Sequence, residues 1–489
     1  MDEFNSGRAN HTHRDDPDKT SSDQDGADLD VSASSNISPS AGGAVPWAYP
    51  HPFYAWFFMS VLVVAAMVSF IDRQVLAIVV DPMKEDVGLT DTDISWLYSG
   101  YAIFYALAGF PLARLADTRN RKWLIAAGVF AWSVMTIATG LTRHYTLILL
   151  ARIGVGVGEA VLQPAANSLA GDLFPRHRIP LALSVFQTGV IVGSALAFIV
   201  GGVVLSFMQG LSDNTFPLIG QLHPWQLTFL VVGLPGFVVL LLLAPLREPA
   251  RRTAGGRHAH RQNRVPLTEV VAFYRTQWKT MIFHHFGFLS LALAGTAAFF
   301  WTVSFFTRVH GVSPANAAQG FGWILLIFGS LGTIWAGVMV SWLARRGRKD
   351  AAIIVGIMGG ATTIPIMFVI QLMPTPFWAF VMYAPAMFFV NAPFGVVYGA
   401  LPLITPTTIR AQVASIYMLV SACGTAFGPV IAALCNDHLF PGQDGVRYSL
   451  MTVTSVFGLI GVTLLCLGRK HYARSLVDAE AAENATAAP

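Results

Sequence analysis

Four ionisable side chains interrupt the apolar stretches of this 489-residue sequence: Asp72, Arg73, Arg152 and Glu159. An ionisable group at the centre of a membrane helix costs about 2.5–3.5 kcal/mol on insertion scales, so it normally faces a cavity or a partner. Desolvation raises a carboxyl pKa and a nearby guanidinium lowers it, so an acid beside a movable cavity can gain and lose a proton. Glu159 is therefore the candidate proton-linked or substrate-sensing acid, and Asp72 its counterpart. Arg152 is a cation that both can share, or that can hold an anionic head group. For Arg73 a buttressing role fits as well as a binding one. The alternative is a static buried ion pair that only fixes two helices, although an apolar pair would do so at lower cost.

The elements that must carry these groups are membrane helices. The chain is 54% hydrophobic and 12% charged, about half the charge of a soluble protein, whose surface must be wetted. A span needs about 20 apolar residues. Six candidates fall at 54–80, 94–115, 123–141, 145–170, 180–207 and 225–246, and six more at 281–307, 317–343, 351–372, 377–401, 411–434 and 447–468. The expected fold is all-α, twelve spans in two pseudo-symmetric bundles of six. The expected divisions are a disordered cytoplasmic tail at 1–50, bundles at 51–247 and 281–470, a cytoplasmic linker at 248–280 and a cytoplasmic tail at 471–489. With the N-terminus inside, inner loops and the C-terminal tail hold 22 Lys and Arg against four in outer loops. That bias places both termini in the cytoplasm. On this register Asp72 lies about 12 Å and Arg152 about 10 Å from the outer face, close enough in depth to pair. Gly154, Gly156 and Gly158 separate Arg152 from Glu159 with a surface free of side chains, suited to close helix approach or to a cavity wall.

Basic clusters recur at the inner end of the second span of each half, at 113–122 and 340–349. The first resembles motif A of the major facilitator superfamily. Asp117, Arg121 and Lys122 match it, while Ala113, Thr118 and Asn120 depart from it; the second copy keeps Gly347, Arg348 and Lys349 but has Ala344 at the acidic position. Ile71-Asp72-Arg73, the stretch from Arg152 through Gly158-Glu159 to Ala160, the Gly233-to-Gly236 turn and Arg247-Glu248-Pro249 together resemble the spinster-like branch over roughly 68–249. The resemblance implies the twelve-helix fold and alternating access. It also implies that Asp72, Arg73, Arg152 and Glu159 serve coupling and substrate recognition, and that Asp117, Arg121 and Lys122 lock one access state. Positive-inside loop chemistry is the plainer account of that last trio.

The second half lacks central charges but offers aromatic and mildly polar groups. Trp301, Tyr383, Asn391 and Tyr398 are candidates for the cavity wall, with Phe299, Phe300, Phe305 and Tyr417 nearby in sequence terms. A charged half facing an apolar, aromatic half suits an amphipathic substrate with one ionic head. His284 and His285 are expected as interface histidines, with a proton relay as the alternative. Glycines in the fifth and eleventh spans fit either bends for rocking or close packing. No phosphate-binding loop is present, so an ATP-driven pump is excluded, and no catalytic constellation suggests an enzyme. Three cysteines lack metal-ligand spacing. The expectation is a proton-coupled secondary transporter of an amphipathic anion or lysolipid-like molecule, with uptake of a sugar acid or aromatic acid as the alternative. It would act as a monomer in a bacterial inner membrane, with substrate, protons and lipid as partners, no cofactor and no nucleic acid.

Overall fold

The computed structural model describes residues 49–210, 215–216, 220–251 and 267–487. The expected tail at 1–50 lies outside the described residues except for its last two, as does the middle of the 248–280 linker. The first half runs α1 (Pro52–Ile78), α2 (Val80–Val87), α3 (Asp91–Thr118), α4 (Arg121–Gly140), α5 (Tyr145–Glu159), α6 (Leu162–Leu173) and α7 (Ile179–Gln209). A short hairpin, β1 (Thr215–Phe216) with β2 (Gly220–Gln221), leads to α8 (Pro224–Gly233) and α9 (Pro235–Leu243). The second half runs α10 (Leu267–Thr276), α11 (Trp278–His310), α12 (Pro314–Ile324), α13 (Ser330–Arg345), α14 (Ala351–Gln371), α15 (Pro376–Ile404), α16 (Arg410–Leu434) and α17 (Gly445–Ala487). Paired short helices α5–α6, α8–α9 and α12–α13 each make one span.

Proline sets two of the breaks in the first half, because it lacks the N–H for the bond to the carbonyl four residues back and its ring clashes there. Pro82 faces back to Ile78, where α1 stops, and Pro164 to Ala160, where α5 gives way to α6. Glu159 is thus the last residue of α5. Among the described residues, eleven helices are long and apolar enough to cross a membrane. The twelfth span, α3, has 28 residues, about 42 Å of helix; Tyr98, Tyr101, Tyr105, Ser95 and Ser99 dilute its apolar character. The linker contains α10, and α17 runs unbroken past 468 to Ala487, where a separate tail was expected.

Burial divides the interior unequally. One apolar core crosses both halves at the face that the Lys and Arg bias marks as outer, joining residues between Val75 and Met83, Tyr98 and Phe198 to residues between Ala297 and Phe306 and to Phe321. Towards the opposite, basic face two further cores form: α1, α3–α7 and α9 pack around Phe58, Trp132 and Phe186, joined from the second half only by Ala426 of α16, while α11 and α14–α17 pack around Phe288, Tyr417 and Tyr472. Gly202 on α7 and Gly322 on α12 let the halves meet at the outer side. A Cβ on Gly202 would come within 2.6 Å of the Ala315 carbonyl, and one on Gly322 within 2.6 Å of Ile199.

An ionic clamp reinforces that seal. The Arg308 guanidinium on α11 grips Asp91 with two N–H groups, at 2.6 and 2.9 Å, and Asp81 with a third at 2.7 Å. Asp437, in a π-helical turn after α16, accepts from the Thr92 N–H at 2.8 Å, the Thr92 hydroxyl at 2.6 Å and the Asp91 N–H at 3.3 Å. An acid from one half thereby caps the N-terminus of a helix in the other, satisfying N–H groups that no intrahelical carbonyl reaches. Ser95 and Ser99 continue the seam by donating to the carbonyls of Pro429 and Ala426. The halves are closed against each other at this face and divided at the opposite one.

Candidate functional site

The four central charges converge where the last two turns of α1 face α3 and the second half of α5. Close approach depends on Gly156, where a Cβ would stand 2.5 Å from the Tyr101 carbonyl. That contact brings Glu159 to the Tyr101 hydroxyl, which donates to Oε2 at 2.7 Å. Arg73 Nη2 reaches the same oxygen at 3.4 Å. The Arg73 guanidinium is also enclosed by aromatic faces, 4.4 Å from the Phe70 centroid, 5.1 Å from Tyr101 and 4.9 Å from Tyr105, an arrangement that stabilises a cation through the ring quadrupole.

Arg152 lies near both acids but makes its hydrogen bonds to main chain. Its guanidinium donates to the backbone carbonyls of Asp72 at 3.1 Å and Arg73 at 3.3 Å, in the penultimate turn of α1. Asp72 and Arg152 are neighbours, as their depths implied, but the bond runs through the main chain. Neither carboxyl oxygen of Asp72 has a hydrogen-bond partner among the described residues. The Glu159 and Asp72 side chains are sealed, whereas that of Arg73 keeps 17% of its surface exposed. Arg73 is therefore the member of the cluster that reaches the accessible surface. Sequence reading missed Tyr101, Tyr105 and Phe70; the tyrosines in an otherwise apolar span were the available signal.

The motif at the inner end of α3 divides. Asp117 is exposed and makes no ion pair among the described residues, while Arg121 and Lys122 are buried. Arg121 binds Glu248 at 2.7 Å, Asp172 at 2.5 Å and the Ser168 hydroxyl at 3.0 Å. Glu248 also accepts from the backbone N–H groups of Arg121 and Lys122 at 3.2 and 2.8 Å, capping α4 from a distance. Lys122 Nζ donates to the Ala244 carbonyl at 2.8 Å. The basic pair ties α4 to α6 and to the segment after α9, and the acid is left free of that network.

The expected cavity-wall residues separate as well. Trp301 and Tyr383 are fully buried: the indole donates to the Pro429 carbonyl at 3.1 Å, and the Tyr383 hydroxyl accepts from Thr302 at 3.3 Å. Both belong to the outer core and line no opening in this conformation. Asn391 is half-buried and donates to the Met387 carbonyl at 2.8 Å. The Tyr398 side chain lies outside the described ones. Phe299 and Phe300 join the seal, packing on Phe198 at 5.2 Å and Tyr98 at 5.0 Å between ring centroids. His284 and His285 are buried among α10, α11 and α16 instead of facing the interface, with facing Nδ1 atoms 3.3 Å apart and the Tyr274 hydroxyl 3.1 Å from His285 Nε2. The fifth- and eleventh-span glycines serve close packing, Gly193 on Met67 and Gly428 on Leu293.

Two six-span halves, sealed at one face and separate at the other around a buried ionic cluster, define a membrane transporter that works by alternating access. The chain belongs to the Major Facilitator Superfamily, whose family model matches residues 62–429. A solved bacterial homologue of the human lysosomal transporter spinster, inward-facing and unoccupied, superposes with a TM-score of 0.72 at 25% identity, over 87% of this chain and 98% of that one. The sphingosine-1-phosphate transporter SPNS2 of Mus musculus is 26% identical over 63% of this chain and 57% of its own. A probable L-galactonate transporter of Escherichia coli (strain K12) is 22% identical over 78% and 82%. These likenesses place the chain in the spinster-like branch, among transporters and not enzymes.

Proposed function

We propose that the protein is a proton-coupled secondary transporter of an amphipathic anion or lysolipid-like molecule. The observation that carries this reading is the position of Arg73: one cation, held by one oxygen of Glu159 and partly open to solvent, is able to serve either that acid or an anionic head group. Protonation of Glu159 removes its claim on Arg73 and frees the guanidinium for substrate. Deprotonation reclaims it and expels the head group. Asp72, sealed and without a hydrogen-bond donor, is the second proton site, and Arg152 is the fixed cation that holds α1 against α5. Asp117, Arg121 and Lys122 act as the inner lock, with Asp117 disengaged while the inner side is open. The aromatic second half receives the apolar part of the substrate; the likeness to a sphingosine-1-phosphate transporter supports that pairing of anion and chain.

The likeness to an L-galactonate transporter supports a second reading, a small sugar acid at the same cation. Both readings place the protein as a monomer in a bacterial inner membrane with its termini in the cytoplasm. Uptake into reconstituted vesicles, with and without an imposed pH gradient, tests the coupling. The expected result is gradient-driven accumulation of a lysophospholipid that Glu159→Gln abolishes while leaving binding intact. Accumulation indifferent to both the gradient and the substitution would overturn proton coupling, and selectivity for sugar acids alone would favour the second reading.

A further inference from the structure

We propose that the second half carries a binding site for the head group of an anionic phospholipid, separate from the transport pathway, where the α13–α14 turn meets α17. A recess of about 400 Å³ lies there, walled by Arg348, Lys349, Arg469 and Lys470 on its polar side and by Cys466, Ala473 and Val477 on its apolar side. Its single lining acid is Asp350, the residue preceding α14. The carboxylate of Asp350 is buried and holds both guanidinium groups, Arg348 at 3.2 Å and Arg469 more closely. This fixes two cations whose side chains remain 44% and 43% exposed, with donors left for an incoming anion. Lys349 pairs with Glu480, and Lys470 is exposed and makes no ion pair among the described residues. Four cations against two acids leave a local charge of about +2, which one phosphodiester partly neutralises through charge-assisted hydrogen bonds.

The surroundings select a lipid over a free anion. Gly347 has φ +77°, a left-handed turn that strains any residue with a Cβ, and it brings Arg348 and Lys349 back towards α17. One turn earlier, Trp342 is exposed and carries the Arg346 guanidinium 3.8 Å above its ring, the kind of amphipathic anchor that marks the membrane–water boundary. On α17 the exposed Leu467 and Val477 flank the recess. A phosphate among these cations therefore has apolar surface beside it for glycerol and acyl carbons. Basic pockets of this kind, at the level of the cytoplasmic head groups, are where anionic lipids bind. All lining residues come from the second half, so the site does not draw on Arg73 or Glu159 and stands whether or not the proposed coupling does.

Native mass spectrometry and thermal shift of the delipidated full-length protein test the proposal with three probes: phosphatidylglycerol, phosphatidylcholine and inorganic phosphate. Saturable binding of phosphatidylglycerol is expected, with phosphatidylcholine and millimolar phosphate much weaker. Lys470→Gln, which breaks no pair, should weaken phosphatidylglycerol about fivefold, and K349Q/K470Q at least about tenfold. Both leave the Arg348–Asp350–Arg469 cluster intact. Lys279→Gln, elsewhere on the basic face, should change nothing. Equal binding by wild type and both variants, an equal loss in Lys279→Gln, or phosphate binding as well as phosphatidylglycerol would overturn it.

Discussion

Arg73 and Arg152 are both guanidinium groups in one cluster, yet their partners give them different work. Arg152 spends its donors on main-chain carbonyls that do not titrate, whereas Arg73 faces a carboxylate and solvent. Tyr101 decides how firmly that carboxylate is held, since its hydroxyl supplies the shorter of the two bonds to Glu159 Oε2. Tyr101→Phe keeps the ring against both cations and removes only that bond. Losing a buried hydrogen bond to a charged group costs about 1.5–3 kcal/mol, so the purified variant should melt measurably lower, with slowed transport and the pH gradient still required. Unchanged melting would show that the bond contributes nothing. The sequence made the four charges visible because any charge stands out in an apolar run. It did not reveal the pairing: Asp72 and Arg73 are adjacent, so both reach α5, and only their angular positions on α1 decide which side chain meets Glu159.

At the scale of elements, helix ends do the joining. Asp437 caps α3 from the opposite half, Glu248 caps α4 from the segment after α9, and Asp350 precedes α14 while binding α17. Span positions were legible because hydrophobic length fixes them, and α17 outran its expected end because its polar continuation pairs through Lys349–Glu480 and Ser475–Gln277. None of these long-range caps has a local signature. Burial works to raise the Asp350 carboxyl, but the guanidinium groups of Arg469 and Arg348 outweigh it and hold it below the usual range. Its stabilisation is therefore complete above the unfolded-state value of about 3.9 and fades as pH falls through the lower folded-state value. Asp350→Asn should lower stability by about 1 kcal/mol near neutrality, with the difference from wild type closing under acid in a pH series of melts. At the outer clamp, Arg308→Gln leaves Asp81 without a cation and Asp91 with Lys84 alone. Breaking a buried pair costs about 3–5 kcal/mol, more than enough for a tenfold shift towards outer opening. A cysteine at Ser95, in a background without native cysteines, should then react with an impermeant thiol reagent about tenfold faster from outside; an unchanged rate would deny the clamp its role.

The whole molecule alternates only if the outer seam can part as a unit. One core spans both halves at that face and two separate cores lie below it, so opening outward must break the shared core, the Gly202–Gly322 crossing and the Arg308 clamp together while the inner ends of the halves approach. Packed interfaces of this kind switch between discrete arrangements and do not deform continuously. A covalent tie across the seam tests this directly. Ser99 donates to the carbonyl of Ala426, so S99C with A426C places two thiols across the α3–α16 contact in the closed state. Oxidation should stop transport completely, and a reductant should restore it. Binding of substrate from the inner side should survive oxidation, because the tie leaves the two inner cores free to stay apart and Arg73 open. Transport that continued in fully oxidised protein would mean that the outer seam never opens, and that substrate takes a path other than the one between the halves.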